Sequence, residues 1–219
     1  TAANAFGKTA LGVNAALAAV NGYNPWTKKY TKTPCVGVVI LDNPIKVKEV
    51  WLKEMGKWID MNDVDQIKNG KPYCSELLFK NGSRILFMFH EQEDMIFESI
   101  ELDWFIMDEP APRRIYIALS RGQRTKGSKP WTLIIGTPLA AAWLRQEIYE
   151  PWERKERDDI ECFRGSTIEN KQNLADGFID QFSRLLTEEE KQIRLHGQWF
   201  DLGSLALKHL IKEEVHYVT

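Results

Sequence analysis

Cysteine is scarce in this 219-residue sequence, and the placement of what there is suggests no pairing. Cys35, Cys74 and Cys162 stand far apart without a CxxC spacing, which argues against a disulfide framework and against a zinc knuckle. The four histidines, His90, His196, His209 and His216, have no metal-ligand spacing with cysteines or carboxylates. Surface or packing roles are expected of them, and no structural metal. No hydrophobic run approaches the ~18 residues of a membrane span, and the start lacks the charged region and cleavage site of a signal peptide. No membrane partner and a cytoplasmic location are therefore expected. An excess of one charge is missing too: 29 Lys and Arg against 31 Asp and Glu leave a formal net charge of -2. Any contact with nucleic acid then has to come from a local basic patch or from an absent domain. No internal repeat or low-complexity stretch is visible.

What the chain does have is enough apolar content, 43%, to bury one good core with room for a small appendage. Ala10 to Val20 is a nearly all-apolar helical run stopped by Asn21-Gly22. CVGVVILD, between Pro34 and Asn43, reads as a buried strand, and IKVKEVWLKEMGKWI as a helix on the spacing of Ile45, Val47, Val50, Trp51, Met55, Trp58 and Ile59. SELLFKNGSRILFMFH places Asn81-Gly82 between two β-like runs, a hairpin signal. ELDWFIMDEP is a strand, RRIYIALSRG a short helix, WTLIIGTP a strand, AAWLRQEIYEPWERKERDD a helix with a solvated end, and IECFRGS a further strand. Strands alternating with helices imply an α/β fold with a largely parallel sheet. From about Thr167 the pattern turns helical, with Thr187 as N-cap and Glu190 completing a capping box. The last stretch, LGSLALKHLIKEEVHYVT, is weakly amphipathic and reads as a linker.

The first residues carry a chemical signal. Gly7, Lys8 and Thr9 fit the end of a P-loop, and Ala2 sits where that pattern accepts Gly or Ala. Ala2, Ala3, Asn4, Ala5, Phe6, Gly7, Lys8, Thr9 and Ala10 would wrap phosphates with backbone N–H groups at a helix start. Lys8 would reach the β/γ oxygens and the Thr9 hydroxyl a magnesium ion. An ordinary Ala-rich core helix behind a small-residue turn is the competing reading. A P-loop normally follows a buried strand, so the chain reads as truncated at its front.

A second motif favours the chemical reading. In ELDWFIMDEP an apolar strand ends in Asp108 and Glu109, the Walker B arrangement, in which the Asp holds the magnesium shell and the Glu orients or deprotonates water. A strand ending in a polar turn is the alternative, but two motifs in this order, each at an element terminus, support one another. That Glu also separates a hydrolase from a nucleotide kinase. A third strand end, IIGTP, would poise Thr137 over a γ-phosphate; alone it is also what a simple turn looks like.

In this order the motifs resemble the ATPase domain of the large terminase subunit of tailed bacteriophages. The resemblance runs from the P-loop, with its helix and Asn24-Pro25-Trp26, through IMDEP and IIGTP to STIENKQNL and LTEEEKQIRLHGQW. It implies a P-loop NTPase of the ASCE, RecA-like kind: α/β, a largely parallel central sheet flanked by helices, and a small helical lid or linker. The implied core is 1–166 and the implied lid and linker 167–219, leading toward a nuclease domain. It further implies ATP and Mg2+ as cofactors, Thr137 in a coupling motif, and a homo-oligomeric ring on the portal protein. Double-stranded DNA and the small terminase subunit are the other implied partners, in the host cell cytoplasm.

Two departures qualify the match. Many terminases carry an Arg inside the P-loop where Ala5 and Phe6 stand, and some a basic or Gln residue before a Gly ahead of Walker B where this chain has Glu98-Ser99. The arginine finger is therefore open among Arg84, Arg113, Arg114, Arg121 and Arg124. Arg121 and Arg124 are preferred because SRGQRTKGSK joins the two active-site strands, although each is equally readable as a solvated surface residue. After Trp199 no acidic cluster with a β-rich segment remains, so no DNA cleavage is expected of this chain. A helicase-like P-loop motor and a non-hydrolysing nucleotide-binding assembly module are the rival readings.

Overall fold

The computed structural model describes residues 5–24, 27–30, 32–59, 61–70, 73–125, 127, 129–137 and 141–199. They fall into two compact units, one made of the described residues within Gly7–Gly136 and Ala141–Ile160, the other of residues 5–6, 137 and 161–199.

The first unit begins with α1 (Lys8–Val20), which ends at Asn21 as its composition predicts. A minimal antiparallel pair, β1 (Tyr23–Asn24) and β2 (Lys29–Tyr30), follows. The central sheet has six strands: β3 (Val36–Leu41), β4 (Val64–Gly70), β5 (Tyr73–Phe79), β6 (Arg84–Phe89), β7 (Trp104–Asp108) and β8 (Trp131–Ile135), in the order β4-β5-β6-β3-β7-β8. β6, β3, β7 and β8 are parallel. β4 and β5 extend the sheet as antiparallel strands. Between strands lie α2, wound as a π-helix over Val47–Leu52 and as an α-helix over Lys53–Met55, α3 (Asp94–Glu98) and α4 (Arg113–Gly122). α5 closes the unit with successive segments Ala142–Leu144, Arg145–Tyr149 and Glu150–Glu153.

Strands covered on both faces need apolar residues almost throughout, and β3 (VGVVIL) and β7 up to its last residue, Asp108, have them. The period of two then sorts these residues. Val39, Leu41, Trp104 and Ile106 join Val13, Ala16, Leu17 and Val20 of α1 and Trp51 and Met55 of α2 in one buried cluster. Val38, Ile40, Phe105 and Met107 join Phe97 of α3 and Ile115, Ala118 and Leu119 of α4 in the other. The hairpin at Asn81-Gly82 forms between β5 and β6. Asn81 also binds the end of α1, its Nδ2 donating to the Val20 carbonyl at 2.7 Å.

In the second unit, Ser166 and Glu169 form a capping box that opens a 3-10 helix over Thr167–Asn173. α6 (Phe178–Arg184) and α7 (Glu188–Arg194) follow, and α7 begins with the Thr187–Glu190 capping box foreseen from sequence. Ser166 Oγ and the Thr167 N–H both donate to the Leu195 carbonyl, tying the start of the segment to its end.

One expectation needs correction, and one strand was missed. IECFRGS is not a strand: the stretch is irregular apart from an isolated bridge at Gly165. Phe163 is 69% exposed, so burial does not drive pairing there. Conversely, β4 escaped the sequence reading because Asp65, Gln66, Ile67 and Lys68 are exposed and only the ladder to β5 makes them a strand. The amphipathic stretch 202–219 lies outside the described residues.

Candidate functional site

The connection leaving β3 runs to the β4–β6 side of the sheet, whereas the one leaving β7 runs to β8. The carboxyl ends of β3 and β7, where Leu41 and Asp108 are paired in register, are therefore a topological switch point, the place where α/β sheets bind ligands. Parity puts Asp108 on the face of Trp104 and Ile106, the one covered by α1 and α2. There it is 5% exposed, and Trp51 Nε1 donates to its Oδ2 at 2.7 Å. Burial pushes the Asp108 carboxyl above the ordinary range, opposed by the Trp51 hydrogen bond and by the charges of Lys46 and Lys8.

Glu109, the next residue, has left the strand. Its φ is 75°, a left-handed value that costs a side-chain-bearing residue about 1–3 kcal/mol and that clusters at active sites. Its N–H donates to the Ile135 carbonyl at 2.8 Å, which holds the bend against the end of β8. Its Oε2 lies 2.9 Å from the place a Cβ on Gly136 would take, so the missing side chain at Gly136 makes room for the carboxylate.

Opposite these acids, α1 starts at Gly7, whose φ of 95° suits glycine. The first turn holds Lys8 and no acidic residue, against the preference set by the helix dipole. A local rule broken in this way marks functional positions. Lys8 is half-buried; desolvation lowers its ammonium pKa, while Glu109 and Asp108 raise it. The lysine is thus held within the field of both carboxylates.

Around this triad stand residues that sequence motifs did not reveal. Asp42 follows β3 and takes a 2.7 Å ion pair from Lys46, at the start of the helix that carries Trp51. His90 follows β6, with its N–H on the Leu41 carbonyl at 3.2 Å. Asp42 was detectable as the acid ending the apolar run VGVVIL. Trp51 was visible only as an apolar position of α2.

Gly7, Lys8, Thr9 and Ala10 form the end of the loop and the first turn of α1. Ala5 and Phe6 belong to the second unit, where the Ala5 carbonyl accepts from Asn170 Nδ2 at 2.7 Å and the Phe6 ring lies against Gly165. Thr137 also belongs to that unit and is 5% exposed. Ala2, Ala3 and Asn4 lie outside the described residues, as do Pro25, Trp26 and Pro138.

Arg121 and Arg124 are not brought to the site of their own chain. α4 runs back along the sheet, and the Leu102 N–H donates to the Gly122 carbonyl just ahead of β7. Gln123 Nε2 donates to the carbonyl of Trp131, the first residue of β8. Both arginines are therefore at the amino edge, roughly 13 Å of strand away from Asp108 at about 3.3 Å per residue. Arg121 pairs with Glu98 at 3.3 Å and is exposed. In sequence SRGQRTKGSK runs from the end of α4 to β8, whose first residue, Trp131, lies on the edge away from Asp108. Arg113 and Arg114 open α4 on the acidic edge, where Arg113 pairs with Glu147 and Arg114 with Asp94.

No protein-family model matches the sequence, and no curated protein matches it. Solved structures do. The large terminase of a thermophilic bacteriophage, in its crystal form 2, superposes with a TM-score of 0.66 at 14% identity, covering 90% of this chain and 47% of that one. The complex of the same terminase with ADP gives a TM-score of 0.67 at 13% identity, covering 90% and 46%. A further crystal form 3 structure gives 0.65, also at 13%. The present chain thus spans less than half the length of those chains. At this identity the likeness is one of fold: the chain has the α/β P-loop fold of these terminase structures, as the sequence resemblance implied. No helix among the described residues is long and apolar enough to cross a membrane.

Proposed function

We propose that this chain, folded like the large terminase of a bacteriophage, is an ATP-hydrolysing motor domain for viral DNA packaging. The observation that carries the reading is the placement of Lys8 in the field of Asp108 and Glu109, beside the carboxyl ends of two adjacent parallel strands. The ADP bound in one of the similar structures adds support.

Lys8 neutralises phosphate charge, and the opening N–H groups of α1 receive phosphate oxygens. Asp108 and the Thr9 hydroxyl would hold Mg2+. Both are hard oxygen donors, and Asp108 is ionisable, buried and held by one indole N–H, which fits a cation that binds through one or two carboxylates plus substrate phosphates. When bound, the ion supplies charge stabilisation to the phosphates. Glu109 orients the attacking water and accepts its proton. Thr137 reports the γ-phosphate state to the helical segment 167–199. In this reading the chain acts in a ring on the portal in the host cytoplasm, with double-stranded DNA and the small terminase subunit as partners. DNA cleavage is not part of it.

The test is phosphate release from ATP with and without Mg2+, by the chain and by Lys8→Ala. Metal-dependent turnover that Lys8→Ala abolishes supports the reading. Turnover unchanged by that substitution removes the P-loop assignment.

A further inference from the structure

A fully buried tryptophan needs an acceptor for its N–H, and a neutral group serves as well as a charged one. Trp51, at 0% exposure, instead uses the carboxylate Oδ2 of Asp108, 2.7 Å away. Three features of the surrounding chain converge on that contact. Trp51 lies in the π-wound half of α2, Val47–Leu52; such wide turns are rare and are frequent at functional sites, although this chain has a second one at Arg145–Tyr149. Its six-membered ring passes under α1 at Gly12, where a Cβ would come within 3.3 Å of Cη2. Lys46, at the head of the same helix, is anchored on Asp42 beside the carboxyl end of β3. The helix that carries the phosphate-side lysine, the helix that carries the indole and the strand that carries the carboxylate are thus locked together.

We propose that Trp51 is a positioning residue for the metal-binding carboxylate: its Nε1–H fixes Oδ2 of Asp108 and leaves Oδ1 as the oxygen presented to a divalent cation. This rests on the ATPase reading given above. A carboxylate that can turn about χ2 has to be ordered each time a cation binds; one already held by an N–H does not, and its affinity rises accordingly. The indole also has no basicity, so it constrains the carboxylate without competing for the proton or the metal.

Two measurements test this, one of them independent of turnover. In the 15N-labelled wild-type chain with a non-hydrolysable ATP analogue, one solvent-protected indole N–H resonance should shift on addition of Mg2+, and should not shift in Asp108→Ala. An indole spectrum indifferent to Mg2+ in the wild type would overturn the proposal. Trp51→Phe keeps an aromatic ring but removes the donor together with part of the buried indole, so the Mg2+-dependent indole shift above is what separates loss of the donor from loss of packing. Mn2+ binding followed by electron paramagnetic resonance, with the same analogue, should weaken by about tenfold in this variant, in line with the 10–100-fold typical for partners of metal ligands. Affinity for the analogue without metal should stay within a factor of two to three by the same reasoning. Equal Mn2+ affinity in wild type and Trp51→Phe would contradict the positioning role while leaving the ATPase reading intact. Failure of the wild type to bind Mn2+ with the analogue at all would remove both.

Discussion

Glu109 Oε2 lies 2.9 Å from where a β-carbon would stand on Gly136, and Pro110 Cδ lies 2.4 Å from the same point. The left-handed bend at Glu109 and the first residue after β8 therefore fit together only because position 136 carries no side chain. Gly136→Ala has to displace either the carboxylate or the proline ring. A shift of about 1 Å at a reacting group costs up to ~100-fold in rate. We expect kcat for ATP to fall by roughly 10- to 100-fold with KM changed far less. Steady-state kinetics with a parallel nucleotide-binding measurement separates the two; a loss confined to KM would mean that Gly136 serves binding and not the placement of Glu109.

Gly12 offers a test of packing with a sign that propensity alone gets wrong. In a helix interior, glycine is normally replaced with a gain of about 0.5–1 kcal/mol. Here an added Cβ would lie 2.8 Å from Ile135 Cδ1 and 3.3 Å from the Trp51 ring. Gly12→Val is expected to destabilise the fold by about 1–3 kcal/mol through overpacking. Thermal or urea unfolding gives the answer, and a variant as stable as the wild type would show that α1 is not seated on Trp51 in this way.

The capping box at Thr187 predicts a local effect. The Glu190 N–H donates to Thr187 Oγ1 at 3.2 Å, and the Thr187 N–H donates to Glu190 Oε2 at 3.0 Å. Thr187→Ala should cost about 1 kcal/mol, read as faster amide exchange over Glu188–Arg194. Unchanged protection there would show that packing of Ile193 alone holds the helix.

Arg121 and Arg124 sit at the amino edge of the sheet, so a role in hydrolysis requires a neighbouring subunit's site. An arginine supplied in this way can contribute on the order of 10³ to 10⁵ in rate. Specific activity should rise with protein concentration or on tethering to a portal ring, and Arg121→Ala or Arg124→Ala should remove the rise with ATP affinity nearly intact. A rise that persists in both variants would shift attention to Arg113 and Arg114, on the acidic edge.

These variants also mark what was readable beforehand. β7 was legible because WFIMD is covered on both faces and tolerates no polar residue before Asp108. The Asn81-Gly82 turn and the cap at Thr187 were legible because each is fixed by residues adjacent in sequence. The edge occupied by Arg121 and Arg124 was available in principle, since a helix after a strand carries the chain back to the edge where the strand began. β4 was not legible, because its order comes from the backbone ladder to β5. The Trp51–Asp108 hydrogen bond was not legible either: it joins residues distant in the chain, and the π-turn that aims the indole leaves the hydrophobic spacing of α2 looking like any buried helix.

Whether Asp108-Glu109 and Lys8 form a water-activating phosphate site is decided by Glu109→Gln. ATP binding and single-turnover hydrolysis should be measured together on this variant in the presence of Mg2+. Removing the base while preserving shape should leave ATP affinity within a few-fold of wild type and slow hydrolysis by about 10²- to 10⁴-fold. Equal loss of binding and hydrolysis, or hydrolysis at the wild-type rate, would mean that Glu109 is not the base.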